Sequence, residues 1–166
     1  MFLLVATSVV VLASTIGCSA EPRPLPTATP LFATEDEAFA AAEEVYREYL
    51  DAGNARIAGK DSPDPQDYLV GQALEADIDA VNSFGGQGIR LSGSAVMTSF
   101  SGESMETQAV TATVCIDARN VRVINTAGDD VTPAARPDES LLRISFVSVD
   151  AVLRIADSEL TDAESC

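Results

Sequence analysis

Histidine and tryptophan are both absent from the 166 residues, and Lys60 is the one lysine among ten basic side chains. Without histidine there can be no Ser-His-Asp triad, no Cys-His pair and no histidine-bearing metal site. No serine stands in G-x-S-x-G, and none begins S-x-x-K. Acid–base work near neutral pH would fall to a carboxylate or a phenol shifted far from its free value. Gly86-Gln87-Gly88 opens like a dinucleotide fingerprint, but Leu91 stands where the third glycine belongs and a strand follows instead of a helix. Asp61, Asp64 and Asp67 recur every third residue, which is not the D-x-D-x-D-G order of a calcium loop; they read as a solvated acidic loop. Asp129-Asp130 after Gly128 reads as turn chemistry. No metal and no cofactor is expected.

Basic charge is also scarce. The 26 acidic residues leave a net charge of −16, and every charged residue follows Cys18. Such a surface disfavours nucleic acid and anionic lipid headgroups, both of which attract Lys and Arg. It suits a body held off a membrane.

What is present begins with the apolar run Phe2–Ile16. It has the length of a secretory signal and falls short of the roughly 20 residues that span a bilayer. It ends in Thr15-Ile16-Gly17-Cys18, small residues before a cysteine. This resembles the lipobox of bacterial lipoproteins, in which the cysteine is lipidated and becomes the new N-terminus. Thr15 stands where Leu, Val or Ile is usual, and no Lys or Arg precedes Cys18. A start codon upstream of Met1 would supply the basic residues. The alternatives are an ordinary signal peptide cut elsewhere, or a short uncleaved anchor. The reading is a signal over residues 1–17, then a lipidated Cys18 on the outer face of the cell membrane.

Of the three cysteines, lipidation of Cys18 leaves an even pair, Cys115 and Cys166. An exported chain sits where disulfides persist, and an exposed terminal thiol there would be a liability. A Cys115–Cys166 bridge is expected, against two unrelated thiols.

Residues 18–33 carry Pro22, Pro24, Pro26 and Pro30. At this density proline prevents helix and favours an extended tether that can reach roughly 40 Å at about 3.1 Å per residue. One domain then occupies residues 34–166. Thr34 with Glu37 forms a capping box, and Glu35 and Asp36 suit the first turn of a helix. Phe39, Ala42, Tyr46, Tyr49, Leu50 and Ile57 form its apolar stripe, and Gly59 ends it. A proline loop and a short turn near residues 67–70 precede a second helix over 72–83, with Leu74, Ile78 and Val81 as its apolar face and Gly85-Gly86 as its stop.

From Ile89 the period is two. The phase breaks near Gly93, and a turn is expected over Ser101–Ser104. The best strand is 106–117, with Val110, Ala112, Val114 and Ile116 on one face and Thr111, Thr113, Cys115 and Asp117 on the other. Residues 119–124 extend it or pair nearby. A polar loop over 125–139 leads to strands at 141–149 and from 152, joined by a tight turn near Asp150. Helices first and strands after predict an α+β fold: N-terminal helices packed on a curved antiparallel sheet of about four strands, cone-like in form.

Leu31-Phe32-Ala33-Thr34-Glu35-Asp36-Glu37-Ala38, the stripe through Tyr46 and Tyr49, Thr113-Val114-Cys115-Ile116-Asp117, Asp130-Val131-Thr132-Pro133 and the terminal Cys166 together look familiar. On these residues the chain resembles lipoproteins of high-GC Gram-positive bacteria with a nuclear-transport-factor-two-like domain, the cone also seen in ketosteroid isomerases. Members often carry a C-terminal tryptophan, which this chain lacks. The resemblance implies fold and address more than activity. Its wider superfamily includes isomerases, dehydratases and non-catalytic binding modules, so fold alone does not choose among them.

In a cone the first helix lies against the concave sheet. Asp117 could then abstract a proton while Tyr46 or Tyr49 donates to an enolate oxygen. Equally, the tyrosines can be core residues with hydroxyls at the rim, and Asp117 a solvated strand end. The balance favours a non-enzymatic binding or scaffolding module of the cell envelope, with an unknown ligand or protein partner. Tyr46, Tyr49 and Asp117 are its expected pocket lining. The alternative is a small-molecule isomerase or dehydratase.

Overall fold

The computed structural model describes residues 30–161 and 166. The signal, Cys18 and most of the tether lie outside the described residues.

Helix α1, Glu35–Ile57, starts where the capping chemistry puts it. The Thr34 hydroxyl accepts from the Glu37 amide at 3.2 Å. The Glu37 carboxylate reaches back one residue further than in the usual box, to the Ala33 amide at 3.1 Å. Ala38, Ala42, Tyr46 and Ala52 are buried along one stripe, with Phe39, Tyr49 and Leu50 packed beside it. The domain begins slightly earlier than its cap. Leu31 and Phe32, assigned above to the tether, pack against the core.

A 3-10 turn, Pro65–Tyr68, is capped by Asp64, whose carboxylate accepts from the Gln66 amide at 3.0 Å. Helix α2 spans Gly71–Gln87, past the expected stop at Gly85-Gly86. Those two glycines stay helical. The chain leaves the helix at Gly88, which adopts φ 65° and closes the end through its amide and that of Ile89. Glycine tolerates helical φ and ψ at modest cost; it ends a helix where it takes the left-handed conformation.

Strands β1 (Arg90–Ser92) and β4 (Arg122–Ile124) pair with each other as a small separate sheet. The phase break near Gly93 is where the chain leaves it. The main sheet is antiparallel in the order β2-β3-β5-β6, formed by β2 (Val96–Met105), β3 (Ala109–Asp117), β5 (Glu139–Val149) and β6 (Val152–Leu160). The turn expected at Ser101–Ser104 is strand instead. A register shift between Gly102 and Ser104 absorbs the irregularity, and the reversal comes after Met105, where the Glu106 amide donates to the Ala109 carbonyl at 2.8 Å. Gly102 also lets α1 lie close, since a Cβ there would fall 2.3 Å from the Phe39 ring.

The alternation of β3 sets the core. Val110, Ala112 and Val114 are fully buried with Ile144 and Phe146 of β5, and the register places Val110 opposite Phe146 and Ala112 opposite Ile144. The opposite face of β3 carries Cys115, bridged to Cys166 with Cα atoms 5.6 Å apart. The two helices cover only the inner face. Asn54 of α1 fixes the start of β2 by donating to the Ala95 carbonyl and accepting from the Ala95 amide, both at 2.9 Å. No described helix is long and apolar enough to cross a membrane.

Candidate functional site

Leu74 is the large side chain that α2 packs on the core; the residues of α2 that line the wall beside it are small. Ala73, Ala76 and Ala80 recur at helical spacing, opposite Leu142 of β5 and Ile155 of β6. No residue of α2 is buried. Its large apolar side chains Ile78 and Val81 are 40% and 43% exposed, off the face that forms the wall. Alanines where leucines would fill the interface leave a cleft of about 360 Å³, closed on the α1 side by Tyr46 and Tyr49 and at its base by Leu69. Leu69 is held there by a parallel bridge to Ile155, and the Val70 amide donates to the Ile155 carbonyl at 2.9 Å.

Tyr46 is 3% exposed. Its ring meets that of Tyr49 edge-on, with centroids 5.8 Å apart and planes at 61°. Neither phenol hydroxyl bonds another described residue. Burial pushes the Tyr46 phenol up, helped by neighbouring Tyr49. Burial also raises Tyr49; the charge of Asp77 adds to this and Arg56 partly opposes it.

Two carboxylates line the cleft, Asp77 and Asp157, and Asp77 is occupied. Arg56, in the last turn of α1, donates to both its oxygens at 2.9 and 2.5 Å, and Gln66 donates to one at 3.0 Å. The Arg56 hydrogen bonds hold Asp77 below the usual carboxylate range, against the opposing effect of burial and with help from Gln66. This cluster ties α1, the 3-10 turn and α2 together at one end of the cleft. At the β6 wall both Asp157 and Ser158 line the cleft; the register sets Ser158 opposite Ile144 and Asp157 opposite Ser145.

The structure therefore brings Tyr46 and Tyr49 together and separates Asp117 from them. Asp117 ends β3 on the face that carries Cys115, and is not among the residues lining the cleft. Its carboxylate accepts from the Arg119 amide and Nε, both at 2.9 Å, and Arg119 also reaches Glu139 at 3.0 Å. These bonds, the Arg119 amide first, pull Asp117 below the ordinary range. The pocket lining expected of Asp117 is corrected accordingly: a residue two beyond Cys115 shares its outward face.

The sequence reading missed Asp77, Arg56 and Gln66. Among the described residues no group of three or more acidic or cysteine side chains is placed to hold a metal ion. A second groove, about 350 Å³ between Phe32, Val45 and Val152, has Glu44 and Glu48 as its polar side chains. Of these two, the tyrosine cleft has convergent polar groups beside apolar walls, the usual make-up of a ligand site.

No protein-family model matches the chain, and no curated protein does. Solved structures do share its architecture. The intermembrane space region of the chloroplast protein ARC6 aligns with a TM-score of 0.53 at 12% identity, over 75% of this chain and 97% of that one. Kfla4162 from Kribbella flavida aligns at 0.48 and 12% identity, over 76% and 91%. Aln2 from a Streptomyces species aligns at 0.45 and 16% identity, over 75% and 89%. At such identities the likeness is one of fold, and the ARC6 alignment is the one that carries it: two N-terminal helices on an antiparallel sheet.

Proposed function

We propose that this chain is a membrane-anchored extracytoplasmic lipoprotein whose cleft binds a small molecule without turning it over. The observation that carries the second half is that Asp77 is already engaged: Arg56 donates to both its oxygens and Gln66 to one. Tyr46 and Tyr49 are raised and Asp77 is lowered, all away from neutrality. General acid–base catalysis calls for shifts toward it. A carboxylate bonded to Arg56 and Gln66 is a poor proton acceptor, and no histidine exists to replace it.

The address rests on the Cys18 lipobox and on the Cys115–Cys166 disulfide, which is consistent with an oxidising compartment. Two acyl chains would give stable anchoring where one gives marginal binding. The competing reading, an isomerase or dehydratase of the ketosteroid-isomerase-like class, draws on the buried phenol of Tyr46 as a donor to a developing oxyanion. Of the two carboxylates that line the cleft, Asp77 is taken up by Arg56 and Gln66 and Asp157 would have to serve as its base.

Two measurements test the proposal. Membrane fractions of cells expressing the chain should hold the wild type and release Cys18→Ala; retention of a processed Cys18→Ala form would defeat the anchor. The full chain, incubated with a β,γ-unsaturated ketosteroid and with β-hydroxy carbonyl compounds, should produce no conjugated enone. Turnover abolished by Asp77→Asn or by Asp157→Asn, with the circular dichroism spectrum unchanged, would replace the binding reading with the enzymatic one.

A further inference from the structure

We propose that the groove between Phe32, Val45 and Val152 docks a partner protein, through a segment that inserts a bulky apolar side chain and sets Lys or Arg against Glu44 and Glu48. The groove shares no lining residue with the tyrosine cleft, so this inference does not rest on the reading of that cleft.

Three features of the groove are unfavourable in the isolated chain. The first is its open apolar wall. Leu31, Phe32 and Val45 pack on the core and Leu153 is buried, yet a space of about 350 Å³ stays open between them, and Val152 at its lip is 51% exposed. The second is charge. Glu44 and Glu48 stand one turn apart on α1, a spacing at which like charges repel. Arg47 beside them is taken by Glu43, and among the described residues no basic side chain pairs with Glu44 or Glu48. The third is backbone strain. Val149 faces Val152 across a two-residue turn, in which Asp150 and Ala151 take φ of 52° and 63°. Aspartate tolerates this conformation; in alanine the Cβ makes it costly, and glycine would adopt it freely. Ala151 is also a lining residue of the groove. A docked partner accounts for all three: it covers the lip, neutralises the glutamates and contacts the Ala151 methyl.

The occupant follows from charge and shape. No Lys or Arg lines the groove, and the chain carries a net −16. A basic segment is attracted, whereas a second copy or an anionic lipid surface is repelled. Small-molecule sites bury most of their ligand, which a lip formed by exposed Ala151 and Val152 does not do; a protein brings its own cover.

The test presents a displayed library of random peptides to the full chain in nanodiscs of zwitterionic lipid, after depletion on empty nanodiscs. Enriched peptides should share a bulky apolar residue close to Lys or Arg. Their affinity, by fluorescence anisotropy, should be abolished by Val152→Asp. Glu44→Gln combined with Glu48→Gln should weaken it about three- to tenfold, more at low salt than at high. Ala151→Gly separates docking from folding: it should weaken binding about threefold while the urea midpoint holds or rises. Circular dichroism should be unchanged in each variant. Uncharged or acidic peptides that are lost in Val152→Asp would keep the groove as a site and overturn the basic partner. Peptides indifferent to Val152→Asp and to the paired glutamine substitutions would overturn the site. No enrichment would overturn the docking of a partner protein; dimers broken by Val152→Asp would then assign the groove to a second copy, and enrichment only after deletion of residues 19–29 would assign it to the tether.

Discussion

Removing the Asp77 carboxylate should loosen α2 before it disturbs the sheet. Asp77→Ala deletes two hydrogen bonds from Arg56 and one from Gln66. The Asp77 side chain is 10% exposed and that of Arg56 38%. Hydrogen bonds to charged groups contribute about 1.5–3 kcal/mol, but the exposure of Arg56 calls for a discount for solvent screening. The expected loss at neutral pH is about 2 kcal/mol, with an Arg56–Asp77 coupling of about 1 kcal/mol in a double-mutant cycle using Arg56→Met. Urea unfolding, followed by far-ultraviolet circular dichroism, measures both. The pH dependence has a definite sign. The folded-state value of Asp77 is depressed, so its contribution is fully present above the ordinary carboxylate value near pH 4 and is lost as pH falls through the lower folded value. Wild type and Asp77→Ala should therefore converge in stability as pH is lowered below about 4. A difference that stayed constant from neutral pH to pH 3, or a loss within about 0.5 kcal/mol at neutral pH, would refute the holding role of the Arg56–Asp77–Gln66 cluster.

Three further outcomes are expected. Cys166→Ser opens a closure between residues separated by 51 positions and should cost about 4 kcal/mol in the chain-entropy account, read from the urea midpoint; intact mass after alkylation without reductant should show neither Cys115 nor Cys166 modified in wild type. Asn54→Ala leaves the Ala95 amide and carbonyl without their side-chain partner and should cost about 2 kcal/mol, with roughly half recovered by Asn54→Asp, which keeps the acceptor. Gly102→Val drives a side chain into the Phe39 ring and should destabilise by about 1–3 kcal/mol, largely relieved when combined with Phe39→Ala.

Much of the fold was legible because local rules and global packing agree in it. Thr34 and Glu37 mark the start of α1, and the alternation at Val110, Ala112, Val114 and Ile116 marks the innermost strand. The errors sit where one residue type serves two backbone states. Gly85, Gly86 and Gly88 look alike in sequence, yet only Gly88 takes positive φ and stops α2. Ser101-Gly102-Glu103-Ser104 has the composition of a turn, but Phe100 and Met105 on either side both pack on the core. Continuing the strand through a bulge keeps both apolar side chains on the helix side, which a turn between them would not.

The cleft was half legible, and the reason lies in which interactions are local. Tyr46 and Tyr49 lie on one stripe of one helix, so the 3.6-residue period alone brings them together. Asp117 could have been excluded by the same kind of rule. Alternation puts it on the face of Cys115, away from the buried one. Asp77 could not be found this way, because its partner Arg56 lies 21 residues back across a loop and a 3-10 turn, and no periodicity links them. The hollow itself is the least visible feature. Ala73, Ala76 and Ala80 are strong helix formers on any helix, and nothing local says which face they present. Leu74, Ile78 and Val81 look like the buried face of α2, and a helix packed for stability alone would bury them. Here Leu74 packs on the core as expected, but Ile78 and Val81 are left substantially exposed and alanines line the open cleft. That arrangement gives up burial worth roughly 1.5–3 kcal/mol for each large apolar side chain not fully inserted. A sequence that forgoes that much core while holding α2 in place through Arg56, Asp77 and Gln66 keeps a space open beside two phenols.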